Sequence, residues 1–195
     1  MNALRNLVQL VALLLLCCLP ALAQSPGRDT KRFNKEGVSF SYPARWSLLD
    51  SGNQEARKLL LESGNSEASL MLIIHRDRVL KENWAQARQD VALSYVAITF
   101  KQYEESGGNP ELSPASLNIG KSRAEGMIIR AKVLDEPHTT EIYWALIDQR
   151  VVVLMFGGPD KDLRKAAPAW HTVRNSIQFA GQKPATKPRR NRRRK

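Results

Sequence analysis

The sequence predicts an α+β fold: an antiparallel β-sheet of about six to seven strands flanked by two main helices, an α/β/α sandwich. Three observations predict it. One short segment alternates apolar and polar residues at period two, the mark of a half-buried strand, and further short strand candidates are bounded by turn residues. Two longer segments repeat apolar residues at steps of three and four, as amphipathic helices do. The strand segments follow one another through short links, which demands antiparallel pairing, and two one-sided helices need sheet faces to cover.

Val38-Ser39-Phe40-Ser41-Tyr42 is the alternating strand and the first in the chain. Pro43 stops it, because proline donates no ladder hydrogen bond and forces the residue before it into an extended conformation. Trp46 follows at a spacing that would fold it back over the strand end. Arg57–Glu62 and Ala68–His75 are apolar runs joined by Ser63-Gly64-Asn65-Ser66, a hairpin-like turn.

Leu80–Tyr103 changes period. Leu80, Trp84, Ala87, Val91, Tyr95 and Ile98 form one stripe, with Lys81, Glu82, Arg88, Gln89 and Asp90 opposite, and Gly107-Gly108-Asn109-Pro110 ends the helix. Four further strands are predicted at Ser113–Ile119, Ala124–Val133, Thr139–Asp148 and Val151–Phe156. Their turns are Gly120-Lys121, Asp135-Glu136-Pro137 and Gln149-Arg150. Gly157-Gly158-Pro159-Asp160 then breaks the chain before a last helix whose inward face is Leu163, Ala166, Trp170, Val173 and Ile177. Pro168 suits the first position of a helix, so the regular part is expected from Pro168 to Gln178. Trp84, Trp144 and Trp170 fall on inward faces and are expected in the core.

The termini bound the compartment. Arg5 precedes Leu7–Leu19, a run interrupted by Gln9 alone and broken by Pro20. Ala21-Leu22-Ala23 then supplies a small-x-small cleavage pattern, so residues 1–23 read as a signal peptide. The run falls short of the roughly 20 apolar residues of a membrane span, so none is expected in the mature chain. Leu16 before Cys17, and Cys17 before Cys18, argue against lipid attachment, which wants a small residue there. Both cysteines leave with the leader, so the mature chain is expected to have no disulfide and no thiol nucleophile or ligand. Residues 24–35 read as a flexible lead-in, 36–180 as one domain and 181–195 as a disordered basic tail.

The net charge of +11 belongs mostly to that tail. Arg5 supplies one positive charge; Lys183, Lys187, Arg189, Arg190, Arg192, Arg193, Arg194 and Lys195 supply eight, with no acid among them. Residues 24–182 therefore carry only +2, and a basic groove on the domain is not expected. The tail has no apolar residue larger than alanine and cannot bury enough surface to offset chain entropy. Its guanidinium groups suit phosphate or carboxylate, which makes these eight residues the candidate polyanion-binding site.

Val38-Ser39-Phe40-Ser41-Tyr42-Pro43-Ala44-Arg45-Trp46 resembles the opening of PsbP-like domains, an extended segment ending in Tyr-Pro-x-x-Trp. The last strand, the Gly-Gly break and the helix with Trp170, Val173, Ser176 and Ile177 are similar to that family's ending. The family includes the photosystem II extrinsic protein and bacterial envelope proteins, some called DcrB-like. The resemblance covers about Phe33–Phe179 and implies a sheet with helices on both faces and a binding or assembly role. It carries over no catalytic residue and no metal ligand.

The chemical motifs have bland readings. Gly120-Lys121-Ser122 is similar to the end of a phosphate-binding loop, but that loop needs a glycine where Ala115 stands and should open a helix; a tight turn explains it. His75-Arg76-Asp77 lacks the asparagine a kinase loop needs, Glu82 holding that position, and reads as a charged strand end. His75, His138 and His171 lie far apart, so no metal site is expected. No G-x-S-x-G elbow occurs. Glu104-Glu105 and Asp135-Glu136 are paired acids of the kind glycosidases use, but they fall in turn-forming stretches where solvation explains them.

The expected function is an exported, non-enzymatic binding or assembly module of the cell envelope, periplasmic or extracellular. It needs no cofactor and meets an anionic surface or polymer through its tail, with an unidentified protein partner. The alternatives are an envelope enzyme with a cleft built from dispersed residues and a secreted nucleic-acid-binding protein.

Overall fold

The computed structural model describes residues 29–180; residues 1–23, expected to be a signal peptide, and the basic tail lie outside the described residues. The strands are β1 (Thr30–Lys35), β2 (Val38–Pro43), β3 (Trp46–Gly52), β4 (Ala56–Ser63), β5 (Ser69–His75), β6 (Glu111–Ile119), β7 (Ser122–Val133), β8 (Glu136–Ile147), β9 (Arg150–Pro159) and β10 (Gln178–Phe179). Helix α1 lies between β5 and β6. It opens as a 3-10 turn (Lys81–Asn83), continues as α-helix (Trp84–Ala87), widens to a π turn (Arg88–Ala92) and returns to α-helix (Leu93–Glu105). Helix α2 (Asp160–Ser176) follows β9.

Seven strands form one sheet in the order β3-β4-β5-β9-β8-β7-β6, and β1-β2-β10 form a small second sheet. Every neighbouring pair is antiparallel. Alternation along the strands sends residues to two cores. Leu70, Leu72, Tyr143, Leu154 and Phe156 pack on one side against α2 and the small sheet, which contribute Trp170, Val173, Val38 and Phe40. Ile73, Ile142, Trp144, Val151 and Val153 pack on the other against Ala92 and Val96 of α1. The architecture is α+β with a helix on each face of the main sheet, as the sequence predicts. Trp170 anchors α2, its ring stacked on Phe156 at 5.0 Å and beside Tyr143 at 6.2 Å.

Register fixes two poles. The β6–β7 turn at Gly120, the β8–β9 turn at Asp148-Gln149 and the β1–β2 turn at Gly37 gather at one end. The described chain also ends there, with the Ala180 N–H donating to the Gly37 carbonyl at 2.6 Å. The Leu134-Asp135 turn and the ends of β9 and α1 lie at the other pole. Helix α2, 17 residues long, runs from the second pole to the first, a distance of about 25 Å. Gly120 seats that helix: its N–H donates to the Arg174 carbonyl at 3.1 Å. Its φ is +57°, and a Cβ there would lie 2.2 Å from the Ile177 carbonyl oxygen.

Five expectations need correction. The lead-in is not flexible throughout, since Thr30–Lys35 forms strand β1. Its single aromatic, Phe33, stacks on Phe40 at 5.1 Å, with the Arg57 guanidinium 5.1 Å above it. Trp46 does not merely cover a strand end; it opens strand β3, which was not expected, and is buried. In α1 the stripe slips. The π turn adds one residue to a turn, so the buried positions are Ala92 at its end and Val96 and Thr99 beyond it, while Ile98 is 55% exposed and Trp84 half-buried. Strand β9 runs through Gly157 and Gly158 to Pro159 instead of breaking. Helix α2 begins at Asp160, with Pro168 inside it, and ends at Ser176. Leu163 and Ala166 before the proline and Trp170 and Val173 after it all reach the core, and that burial outweighs one lost helix hydrogen bond.

The two sheets are joined by a clamp. Arg57 on β4, 5% exposed, donates from Nε and Nη2 to the two Asp50 oxygens at 2.9 and 2.7 Å. Its Nη1 donates to the Lys35 carbonyl of β1 at 3.2 Å and pairs with Glu36. The forked guanidinium thus satisfies a main-sheet carboxylate and a small-sheet carbonyl together. Its hydrogen bonds, helped by one from Lys35 Nζ of β1 at 3.3 Å, hold the Asp50 carboxyl down to about 2, with burial opposing.

Candidate functional site: a cleft beside helix α1

At the second pole the last turns of α1 stand off the sheet and leave a cleft of about 390 Å³. Its floor is the start of β5 (Ser69, Met71), the start of β8 (His138, Thr140) and the end of β9 (Met155, Gly157). Thr99, Gln102 and Tyr103 of α1 and Ser106 at its C-cap form one wall, with Val133 and Glu67 at the rim. The helix reaches this position because the π turn rotates Thr99 and Tyr103 inward. The strand end stays open because glycine occupies it: a Cβ on Gly157 would lie 2.7 Å from Thr140 Oγ1.

Thr140, buried, and Tyr103 share a 2.8 Å hydroxyl–hydroxyl hydrogen bond. The His138 ring meets the Tyr103 ring edge-on, centroids 6.3 Å apart. Burial raises the Tyr103 phenol above its ordinary pKa, with the Thr140 bond opposing and the Asp160 charge adding to the rise. The phenol therefore stays neutral near physiological pH. It offers a hydrogen bond and does not serve as a base. Thr140 is bonded to that phenol, not to an imidazole or carboxylate, and so lacks the partner that would activate it as a nucleophile. A thioether floor under a ring of hydroxyls and amides suits binding a ligand with an apolar body and polar substituents.

The rim is braced from α2. Asp162 accepts from the Glu67 N–H at 3.1 Å and from Lys165 Nζ at 2.9 Å, and Asp160 accepts from the Thr139 hydroxyl at 2.7 Å. These contacts tie the β4–β5 loop and the start of β8 to the first turn of α2.

The structure keeps the motif residues apart. Gly120-Lys121-Ser122 is the β6–β7 turn. His75 ends β5 and its Nε2 lies 3.1 Å from the Tyr95 hydroxyl; His138 is in the cleft, and His171 stands on α2 beside Arg174. Glu104-Glu105 lies in the last turn of α1, not in a turn between elements, and Glu105 pairs with Lys101. Glu136 pairs with Lys161. The eight tail residues lie outside the described residues. Among the described residues, no helix is long and apolar enough to cross a membrane. The cleft was not read from the sequence; its one advance signal was Gly157-Gly158 at a strand end, where backbone without side chains leaves room.

No protein-family model matches this sequence, and no curated protein matches it. Solved structures do. A Bacteroides thetaiotaomicron protein superimposes with a TM-score of 0.52 at 12% identity, covering 80% of this chain and 50% of that one. The chain thus spans half that protein's length. LpqN of Mycobacterium tuberculosis, described as involved in cell envelope biogenesis, gives 0.48 at 11% identity, over 80% of this chain and 87% of that one. The cyanobacterial PsbP of Synechocystis gives 0.51 at 12% identity, over 83% of this chain and 98% of that one. The match to PsbP runs nearly end to end, and the fold of this chain is PsbP-like.

Proposed function

We propose that this protein is an exported, non-enzymatic binding module of the cell envelope, periplasmic or extracellular. Its cleft beside α1 holds a ligand or a partner's side chain, and its tail, Lys183 to Lys195, tethers it to a polyanionic surface. The observation that carries the reading is the state of the cleft hydroxyls. Tyr103 and Thr140 bond to each other, an arrangement that presents hydrogen bonds and generates no nucleophile. The leader pattern at Ala21-Leu22-Ala23 and the concentration of charge in the tail support export and tethering. In intact cells, a photo-crosslinker at Ser106 on the cleft wall should yield discrete adducts, and deleting residues 183–195 should release the protein from the envelope fraction. Turnover of an envelope substrate that is lost on Thr140→Val with the fold intact would refute the non-enzymatic reading.

A further inference from the structure

The pole from which the described chain ends differs in chemistry from the cleft pole. Ala180 is hydrogen-bonded to Gly37, so the tail departs beside the β1–β2 turn, and Gly120 is bonded to the last turn of α2, so the β6–β7 turn flanks it. Lys121 on that second turn and Arg123 just beyond it in β7 are exposed. Lys35 beside the first turn is paired with Asp50 at 3.3 Å, and Glu36 and Asp148 are exposed acids on turns of the same pole. At the other pole Glu67 stands on the cleft rim, with Glu104, Glu105 and Asp135 exposed on the neighbouring turns. The two ends of α2 separate these groups by about 25 Å, more than two Debye lengths at physiological salt. Lys101 offsets Glu105 at the cleft pole, so an anionic surface attracts the end that carries Lys121 and Arg123 more than it attracts the cleft end. A tail of eight positive charges holds the attracted end within reach.

We propose that this pole, with Lys121 and Arg123 beside the point where the tail departs, is a docking face for an anionic lipid bilayer, and that docking turns the cleft toward the solution. The proposal rests on the tether reading and adds to it a fixed orientation. Juxtamembrane lysines and arginines each add attraction only when close to the surface, so face residues act after the tail has brought the domain down. The tail raises the local concentration, and the face selects the pose.

The test uses the mature chain, whose residues 24–195 contain no cysteine, so one introduced thiol can be labelled cleanly. Asn118→Cys reports the tail pole and Ser106→Cys the cleft pole; both positions are exposed. Each labelled protein is mixed with phosphatidylcholine vesicles containing phosphatidylglycerol and a headgroup-nitroxide lipid, and fluorescence quenching is read. The label at 118 should be quenched several-fold more than the label at 106. Lys121→Glu with Arg123→Glu, tail intact, should weaken binding at least about thirtyfold and erase the difference between the labels. Equal quenching at both sites in the unaltered protein would overturn the docking face while leaving the tether standing. Stronger quenching at 106 would overturn it as well. Failure of the full chain to bind these vesicles at all would overturn both the face and the tether to lipid.

Discussion

Asp50→Asn tests the clamp between the two sheets. The Asp50 carboxyl sits at about 2 against an ordinary value of 3.8, and each unit corresponds to about 1.4 kcal/mol. The carboxylate thus contributes about 2 kcal/mol at neutral pH, trimmed somewhat by solvent because its side chain is 28% exposed. The sign follows from the lowered pKa. The contribution is complete above the unfolded value near pH 4, fades as pH falls toward 2, and is absent below both values. Asparagine keeps the shape and loses the charge, so the variant should lose about 2 kcal/mol at neutral pH. For a domain of this size that corresponds to a fall in Tm of roughly 4–8 °C. Urea unfolding at neutral pH and again near pH 2–3, for both proteins, is the assay. The gap should shrink steadily with acidification. An unchanged midpoint at neutral pH, or a gap that stays constant across the titration, would refute the clamp.

Three further outcomes follow from the same structure. Trp170→Ala removes a ring stacked on Phe156 and should cost about 3–5 kcal/mol; Trp84→Ala, at a half-buried position, should cost less than half as much in the same thermal unfolding experiment. Gly120→Ala places a methyl against the Ile177 carbonyl at a positive φ and should lower stability by about 1–3 kcal/mol, more than the same change at Gly64, where a Cβ meets nothing. Mature protein should begin at Gln24, read by intact mass; a species carrying diacylglycerol on Cys17 or Cys18 would contradict the leader assignment.

Elements whose stability is local were legible. The alternation in β2, and the apolar runs of the β6–β9 meander with the turn residues between them, state their own partners. Strand β1 was not legible, because Thr-Lys-Arg-Phe-Asn-Lys offers one apolar residue and depends on Arg57, 22 residues beyond Lys35. Strand β3 lies at an exposed sheet edge and shows no clean period. The inward stripe of α1 was read as regular, and one π turn displaced its second half. The cleft draws on residues from Glu67 to Gly158, brought together by the β5–β9 pairing, so no local spacing announces it. The shift of α1 that hid the stripe is also what places Thr99 and Tyr103 in the cleft wall.

The tether is tested most directly by co-sedimentation with anionic and neutral vesicles across roughly 50–200 mM salt, for the mature chain and for the chain ending at Gln182. The account predicts that the mature chain pellets with anionic vesicles at low salt, releases steeply as salt rises, and ignores neutral ones. The shortened chain should stay in the supernatant with its melting temperature unchanged. A shortened chain that still pellets with anionic vesicles, or a mature chain that never does, would contradict it.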